Sequence, residues 1–121
     1  MQDHIAVCYP EEGCGLVAGT GNTAVEILPI TNQSHSQTHF TMDPLEQLEA
    51  FYKIEKKGMS LLAIYHSHPY GPRFPSAHDV EAFSYPGVIY LIWSLDAGDW
   101  QVSGYEINQN NLIEIQLLFV D

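Results

Sequence analysis

The feature that most constrains the fold is an apolar run that ends in two histidines. Residues 61–66 read LLAIYH, and an apolar run of this length is typical of a buried strand. His66 and His68 lie two residues apart, so their side chains point to the same face of an extended chain. Pro69 then ends the strand. We therefore expect a core strand that presents two imidazoles together at its end.

A short helix is predicted to follow, starting at Ser76 and running to about Phe83. Ser76 and Asp79 have the spacing of a capping box, which places Asp79 in the first turn. If that turn folds back beside the strand end, Asp79 can supply a carboxylate oxygen. An ordinary helix cap would also explain this pair, and the two interpretations are compatible.

His66, His68 and Asp79 together form a plausible ligand set for zinc, which binds imidazole nitrogen and carboxylate oxygen. Three protein ligands leave one tetrahedral position open, which is typical of catalytic zinc. A chain of 121 residues with 45% hydrophobic content can bury a core without a structural metal. We therefore expect one catalytic zinc per chain. A lone His-x-His pair is usually incidental, so the prediction depends on the combined spacing.

The remaining pattern predicts one α/β domain over residues 1–121, with a mixed, largely antiparallel sheet flanked by two to three helices. Strands are predicted at residues 14–19, 23–30, 61–66, 88–94, 100–107 and 112–120. Helices are predicted at residues 2–9, from the cap Asp43 to Gly58, and from Ser76 onward.

The middle helix carries boundary signals at both ends. Asp43 is a predicted N-cap, and Glu46 completes a capping-box pattern with it. Gly58 is the predicted terminator. The expected apolar stripe consists of Leu45, Leu48, Phe51 or Tyr52, and Ile54.

Charge and composition exclude several classes of partner. The net charge is −11, from 15 acidic and four basic residues, and such a surface repels phosphate backbones and anionic lipid headgroups. We expect no nucleic-acid or membrane partner, and no run approaches the roughly 20 apolar residues of a membrane span. Cys8 and Cys14 do not form a disulfide framework. A cytoplasmic location is the default expectation.

The motif H-x-H-P-x(6)-S-x(2)-D, which runs from His66 to Asp79, resembles the signature of the JAMM, or MPN-plus, metallopeptidases. This family includes deubiquitinating enzymes and their prokaryotic relatives. Pro69 and Ser76 match the signature without insertion or deletion. The segment YPEEGCGLVAG (9–19) is similar to the entry strand of the family, and HFTMDPLE (39–46) and YPGVIYLIWS (85–94) are similar to stretches in prokaryotic members.

The resemblance implies the cytidine-deaminase-like JAMM fold and a set of roles. Glu12 matches the glutamate that acts as general base and then as acid to the leaving amine. Its register against Cys14 favours it over Glu11. Ser76 matches the serine that stabilises the tetrahedral intermediate. The implied zinc ligands are His66, His68 and Asp79, with water as the fourth.

The implied function is hydrolysis of a peptide or isopeptide bond, at the C-terminal tail of a ubiquitin-like or sulfur-carrier protein. The alternative is a non-catalytic MPN-type scaffold or interaction module, although such scaffolds typically lose ligands that this chain keeps. A zinc deaminase would need His-x-Glu followed by Pro-Cys-x-x-Cys, and the sequence contains neither pattern. No long insertion flanks the motif, so specificity for a polyubiquitin linkage is not expected.

Overall fold

The computed structural model describes residues 1–82, 87–108 and 111–119. Within these ranges a six-stranded sheet is accompanied by three helices. The strands are β1 (Cys14–Thr20), β2 (Thr23–Ile30), β3 (Ser60–His68), β4 (Ile89–Asp96), β5 (Asp99–Asn108) and β6 (Asn111–Ile115). The helices are α1 (Gln2–Cys8), α2 (Pro44–Lys56) and α3 (Ala77–Ala82).

The strand order is β2-β1-β3-β4-β5-β6, and β3 with β4 is the one parallel pair within the described ranges. The other four neighbouring pairs are antiparallel, so the predicted mixed, largely antiparallel sheet is confirmed. A parallel pair needs a crossover connection, and α3 lies in it. The carboxyl end of β3 is therefore interior to the sheet and close in sequence to α3.

The core lies on both faces of the sheet. On one face Ala50 and Ile54 of α2 pack in a cluster with Leu16 and Ile64. On the other face Ile5 of α1 packs with Tyr65 and other strand residues. Because strand side chains alternate between faces, Ile64 and His66 point toward the α2 side and Tyr65 toward the α1 side.

The predicted ends of α2 are confirmed, but its capping box is wrong. The Asp43 carboxylate accepts hydrogen bonds from the N–H groups of Leu45 and Glu46, and Gly58 follows the helix with φ +68°. The Glu46 carboxylate instead accepts from the backbone N–H and hydroxyl of Thr31, each at 3.0 Å. Thr31 comes directly after β2, and its carbonyl accepts the hydrogen bond from the Asp43 N–H. In a capping box the Glu46 carboxylate would have accepted that bond.

The predicted apolar stripe of α2 is also wrong in part. Leu45, Leu48 and Tyr52 are exposed, whereas Ala50 and Ile54 are buried. Phe51 packs against the same core cluster as these two. The helix therefore presents its Ala50 side to the sheet, where a small side chain permits close approach.

Most strand boundaries lie within two residues of the sequence prediction, and two of the differences have a clear physical cause. The strand predicted at 61–66 continues to His68, because His68 still pairs with Ser94 of β4. The strand predicted at 112–120 ends at Ile115, since Leu117 folds over Gly104 and joins the core on the α1 side. Phe83 and Val120 lie outside the described residues. None of the described helices has the length and apolarity needed to span a membrane.

Candidate metal centre

His66 and His68 lie at the carboxyl end of β3, as the sequence predicts. Both are buried, because β1 and β4 flank this strand. Their Nε2 atoms are 2.9 Å apart. The Nδ1–H of His68 donates to the Pro72 carbonyl at 2.8 Å, so in the neutral ring the Nε2 lone pair faces the cluster.

Asp79 reaches this histidine pair from the first turn of α3. Its Oδ2 lies 3.3 Å from Nε2 of His66 and 3.2 Å from Nε2 of His68. The turn is fixed by the predicted reciprocal cap, in which Ser76 N–H donates to Asp79 Oδ2 and Asp79 N–H donates to Ser76 Oγ. The cap and the convergence with the histidines are therefore both present.

The spacing of these three atoms fits a tetrahedral metal. With metal–ligand bonds of about 2.0–2.1 Å, the ligand atoms of a tetrahedron are about 3.3 Å apart. The separations of 2.9, 3.2 and 3.3 Å lie close to that value. Lone pairs on three neighbouring acceptors repel one another unless protons or a cation lie between them, and a divalent cation satisfies all three.

Glu12 lies two residues before the start of β1, and its side chain is part of the same cluster. Ligand atoms of Glu12, His66 and His68 all lie within 4.8 Å of one another. The Glu12 side chain is buried, and its Oε1 has no hydrogen-bond partner within the described part of the chain. Glu11 instead pairs with the exposed ring of His35 at 3.0 Å. Of the two adjacent glutamates, Glu12 is the one near the histidines.

The electrostatics of the cluster follow from burial and close contact. Burial raises the pKa of Glu12 to about 8 and lowers the pKa of His66. Burial alone would raise the pKa of Asp79, but when protons lie between the carboxylate and the two Nε2 atoms, hydrogen bonds from His66 and His68 outweigh burial and hold the pKa well below its usual range. Asp79 is therefore an anion among rings, which favours cation binding.

Ser76 lies at the exposed edge of this cluster. Its Oγ accepts the Asp79 N–H at 3.0 Å, so the hydroxyl hydrogen remains free to donate elsewhere. The sequence prediction that Ser76 and Asp79 share one helix N-terminus is confirmed by these bonds.

Several positioning contacts were not predicted from the sequence. Ser67 lies between the two histidines, and its Oγ accepts a hydrogen bond from the N–H of Gly13, the residue after Glu12. Asn32 bonds the backbone of Glu12. The Tyr105 hydroxyl donates to the Arg73 carbonyl at 2.7 Å and so anchors the loop before α3. Nothing in a single sequence marks these polar residues, because their partners lie far away along the chain.

Two histidines, an aspartate and a buried glutamate thus converge at the carboxyl end of β3. Side chains of these types can hold a metal ion and transfer a proton. Residues 1–105 match the family model described as prokaryotic homologs of the JAB domain. The chain belongs to this family. The resemblance to JAMM/MPN-plus proteins is thereby confirmed.

Curated relatives support the same assignment. The chain is 42% identical over 94 residues to a probable TtuB-protein conjugate cleaving protease of Thermus thermophilus, covering 77% of this chain and 62% of the relative. It is 37% identical over 90 residues to a desampylase of Haloferax volcanii, covering 72% of this chain and 65% of the relative. The matched segment thus spans less than two thirds of either relative.

Solved structures share the fold. A solution structure of a protein from Desulfitobacterium hafniense superposes with a TM-score of 0.84 at 32% identity, covering 96% of this chain and 83% of that one. A JAB1/MPN domain protein from Archaeoglobus fulgidus gives a TM-score of 0.63 at 21% identity, covering 98% and 89%. The predicted JAMM-type fold is confirmed.

Proposed function

We propose that this chain is a zinc-dependent peptidase or isopeptidase. The observation that carries the proposal is the convergence of His66 Nε2, His68 Nε2 and Asp79 Oδ2 at separations of 2.9–3.3 Å. The buried Oε1 of Glu12 lies beside them with no hydrogen-bond partner among the residues that the structure describes, and it adds the group that proton transfer needs. Metal-assisted hydrolysis needs at least a set of metal ligands and a nearby group that can accept a proton.

His66, His68 and Asp79 would hold one zinc and leave a coordination position open. When bound, zinc supplies a Lewis acid and makes water acidic enough to ionise near neutral pH. The Asp79 carboxylate reduces the charge of the site. The Nδ1–H bond from His68 to Pro72 orients that ring for ligation.

Glu12 is proposed as the general base and acid. Its carboxylate accepts the proton of the attacking water and then delivers it to the departing amine, so one group serves both steps. Burial raises the pKa of Glu12, and the positive charge of a bound zinc would lower it again and so favour the anionic form that accepts a proton. Enclosure also keeps bulk water from competing for that proton.

Ser76 is proposed to stabilise the developing oxyanion. Its hydroxyl accepts from Asp79 N–H, and its own hydrogen can point outward to the substrate carbonyl oxygen. A donor held by a helix cap is already oriented before charge develops, which is how such donors accelerate acyl transfer.

The proposed substrate is the C-terminal tail of a ubiquitin-like or sulfur-carrier protein, joined through its carboxyl group to an amine. Two of the relatives are named as a TtuB-conjugate cleaving protease and a desampylase. These names support a conjugate as the substrate class. The family resemblance of the motif from His66 to Asp79 points the same way.

The competing function is a scaffold that binds partners without catalysis. A scaffold has no need for a complete set of ligands, base and oxyanion donor. This chain keeps all five corresponding residues, namely Glu12, His66, His68, Ser76 and Asp79. The intact set favours catalysis.

The proposal is tested with a panel of ubiquitin-like and sulfur-carrier proteins, each fused through its C-terminus to a reporter protein. The panel is incubated with the zinc-loaded chain, with the chelated chain, and with chelated chain to which zinc is restored. We expect mass spectrometry to find cleavage directly after the carrier in the first and third reactions. Zinc binding without cleavage of any fusion would favour the scaffold, and failure to bind zinc would contradict the ligand assignment.

A further inference from the structure

We propose that Asn32 is the positioning residue for Glu12. It fixes the backbone on both sides of the Glu12 α-carbon, through its own side chain and through the loop of residues 32–41 that it organises. This inference rests on the proposed function only in treating Glu12 as the group that moves the proton.

The Asn32 side chain is buried and fully engaged. Its Nδ2 donates to the Glu12 carbonyl at 3.0 Å and to the His39 carbonyl at 3.2 Å. Its Oδ1 accepts from the N–H and hydroxyl of Ser34 at 3.2 and 2.7 Å and from Thr41 N–H at 3.0 Å. One amide thus connects the start of the 32–41 loop, the end of this loop and the backbone of Glu12.

The orientation of the amide is determined by its partners. The two groups that face Nδ2 are carbonyls, which only accept, and two of the groups that face Oδ1 are backbone N–H groups, which only donate. A flipped amide would oppose like groups at all four positions. Asn32 is therefore required as both donor and acceptor. Aspartate could only accept the bonds made at Oδ1, and leucine could make none of these hydrogen bonds.

The loop that Asn32 organises holds the other side of Glu12. The Glu12 N–H donates to the Ser36 carbonyl at 2.8 Å, and Ser36 lies inside the 32–41 loop. The same loop carries Phe40, whose ring lies against the His66 imidazole with centroids 4.5 Å apart. Loss of the Asn32 side-chain bonds would remove the partner of the Glu12 carbonyl and would loosen the loop that holds the Glu12 N–H.

Precise placement of Glu12 matters because no described residue makes a hydrogen bond to its Oε1. The position of this oxygen therefore depends on where the Glu12 backbone is held. A proton-transfer group must lie within hydrogen-bond reach of the proton it takes. A displacement of about 1 Å can cost about 10²-fold in rate.

The test compares Asn32→Asp and Asn32→Ala with Ser34→Ala. Asp keeps the shape and the accepting oxygen but adds a charge, and Ala removes both functions without a charge. The change that these two variants share is the loss of the Nδ2 donor. Ser34→Ala removes one bond on the accepting side of the same amide and leaves the Glu12 contacts intact, so it is the matched control.

Two measurements are made on the zinc-loaded proteins. The first is hydrogen exchange of the Glu12 amide, which we expect to accelerate about tenfold or more in both Asn32 variants and to remain near the parent value in Ser34→Ala. The second is steady-state kinetics on a cleaved carrier fusion. We expect kcat to fall about 10²-fold with little change in KM and with one zinc per chain retained, since the Asn32 side chain is itself buried and its hydrogen bonds go to none of the proposed zinc ligands.

Unchanged Glu12 exchange in the Asn32 variants, or an equal loss of kcat in Ser34→Ala, would overturn the proposal. Thermal unfolding of each variant reveals a general loss of stability, and if Asn32→Ala does not fold, Asn32→Asp retains the accepting bonds and decides the question. If the parent cleaves no fusion, the proposed function fails, while Glu12 exchange still decides whether Asn32 positions it.

Discussion

Gly13 and Ser67 are joined by two hydrogen bonds that connect the Glu12 segment to the histidine strand. Gly13 N–H donates to Ser67 Oγ at 2.8 Å, and Ser67 N–H donates to the Gly13 carbonyl at 2.9 Å. Ser67 lies between His66 and His68 and is fully buried. This pair of hydrogen bonds, the Gly13–Ser67 clasp, therefore helps to set the distance from the proposed base to the proposed ligands.

Replacing Ser67 with alanine should weaken this clasp. The buried Gly13 N–H would lose its partner, and an unsatisfied buried donor costs about 1–3 kcal/mol of unfolding free energy. Chemical denaturation measures that loss, with Ser60→Ala as the control because Ser60 is an exposed serine on the same strand. Equal midpoints for the two variants would mean that the Ser67 hydroxyl contributes nothing to stability.

The Glu12→Gln variant should keep the fold and the zinc but lose nearly all of its hydrolytic activity. The amide keeps the size of the side chain, yet it cannot accept and deliver a proton, and general acid–base groups typically contribute about 10²–10⁴-fold in rate. Glu11→Gln is the matched control, since Glu11 pairs with His35 at the surface. A severe defect in Glu11→Gln beside a mild one in Glu12→Gln would reverse the assignment.

Zinc should bind with a stoichiometry of about one per chain and should stabilise the fold. A ligand at 100 times its dissociation constant stabilises the native state by about 2.7 kcal/mol, so the parent should unfold at a higher temperature with zinc than after chelation. Asp79→Asn should largely abolish this shift because the anionic ligand is lost. Elemental analysis of both proteins provides the count, and an equal zinc-induced shift in both would remove Asp79 from the ligand set.

Cys14 should resist alkylation in the native protein. Burial raises its pKa to about 12, and only the thiolate reacts. Cys8 is half-buried and its pKa is also raised by burial, so it should react first but more slowly than a free cysteine. Peptide mapping after iodoacetamide treatment at pH 8, with and without denaturant, measures both. Rapid native labelling of Cys14 would contradict its place in the core.

The histidine pair was predictable because its cause is local. An apolar run fixes a strand, and a spacing of two fixes a common face, so His66 and His68 follow from short-range rules. Asp79 was predictable for a related reason, since the Ser76 cap defines the first turn of α3. The residues alone do not show that this turn folds back onto β3. That expectation came from the family resemblance.

The contacts that organise Glu12 could not be predicted because their cause is not local. Asn32 lies in a polar stretch that resembles an ordinary loop, and it becomes a hub only when that loop closes over Glu12. The orientation of α2 failed for a similar reason. Leu45 and Leu48 are more hydrophobic than Ala50, but packing against the sheet selects the side that allows close approach.

Ser76→Ala should separate the two roles of this serine. The hydroxyl oxygen accepts the Asp79 N–H, and losing such a cap costs about 1 kcal/mol of stability. The hydroxyl hydrogen is proposed to meet the substrate oxygen chiefly when that oxygen carries negative charge, so its loss should fall on kcat rather than on KM. Removing one oxyanion donor costs about 10²–10³-fold in rate.

Ser76→Thr is the control for this variant, because threonine keeps both the accepting oxygen and the donating hydrogen. Thermal unfolding and steady-state kinetics are measured on the same preparations of both variants. We expect Ser76→Thr to recover most of the stability and of kcat. A small loss of stability in Ser76→Ala with turnover within a few-fold of the parent would leave Ser76 as a helix cap alone. Stabilisation of the oxyanion would then have to come from the metal, and Ser76 would be removed from the catalytic set.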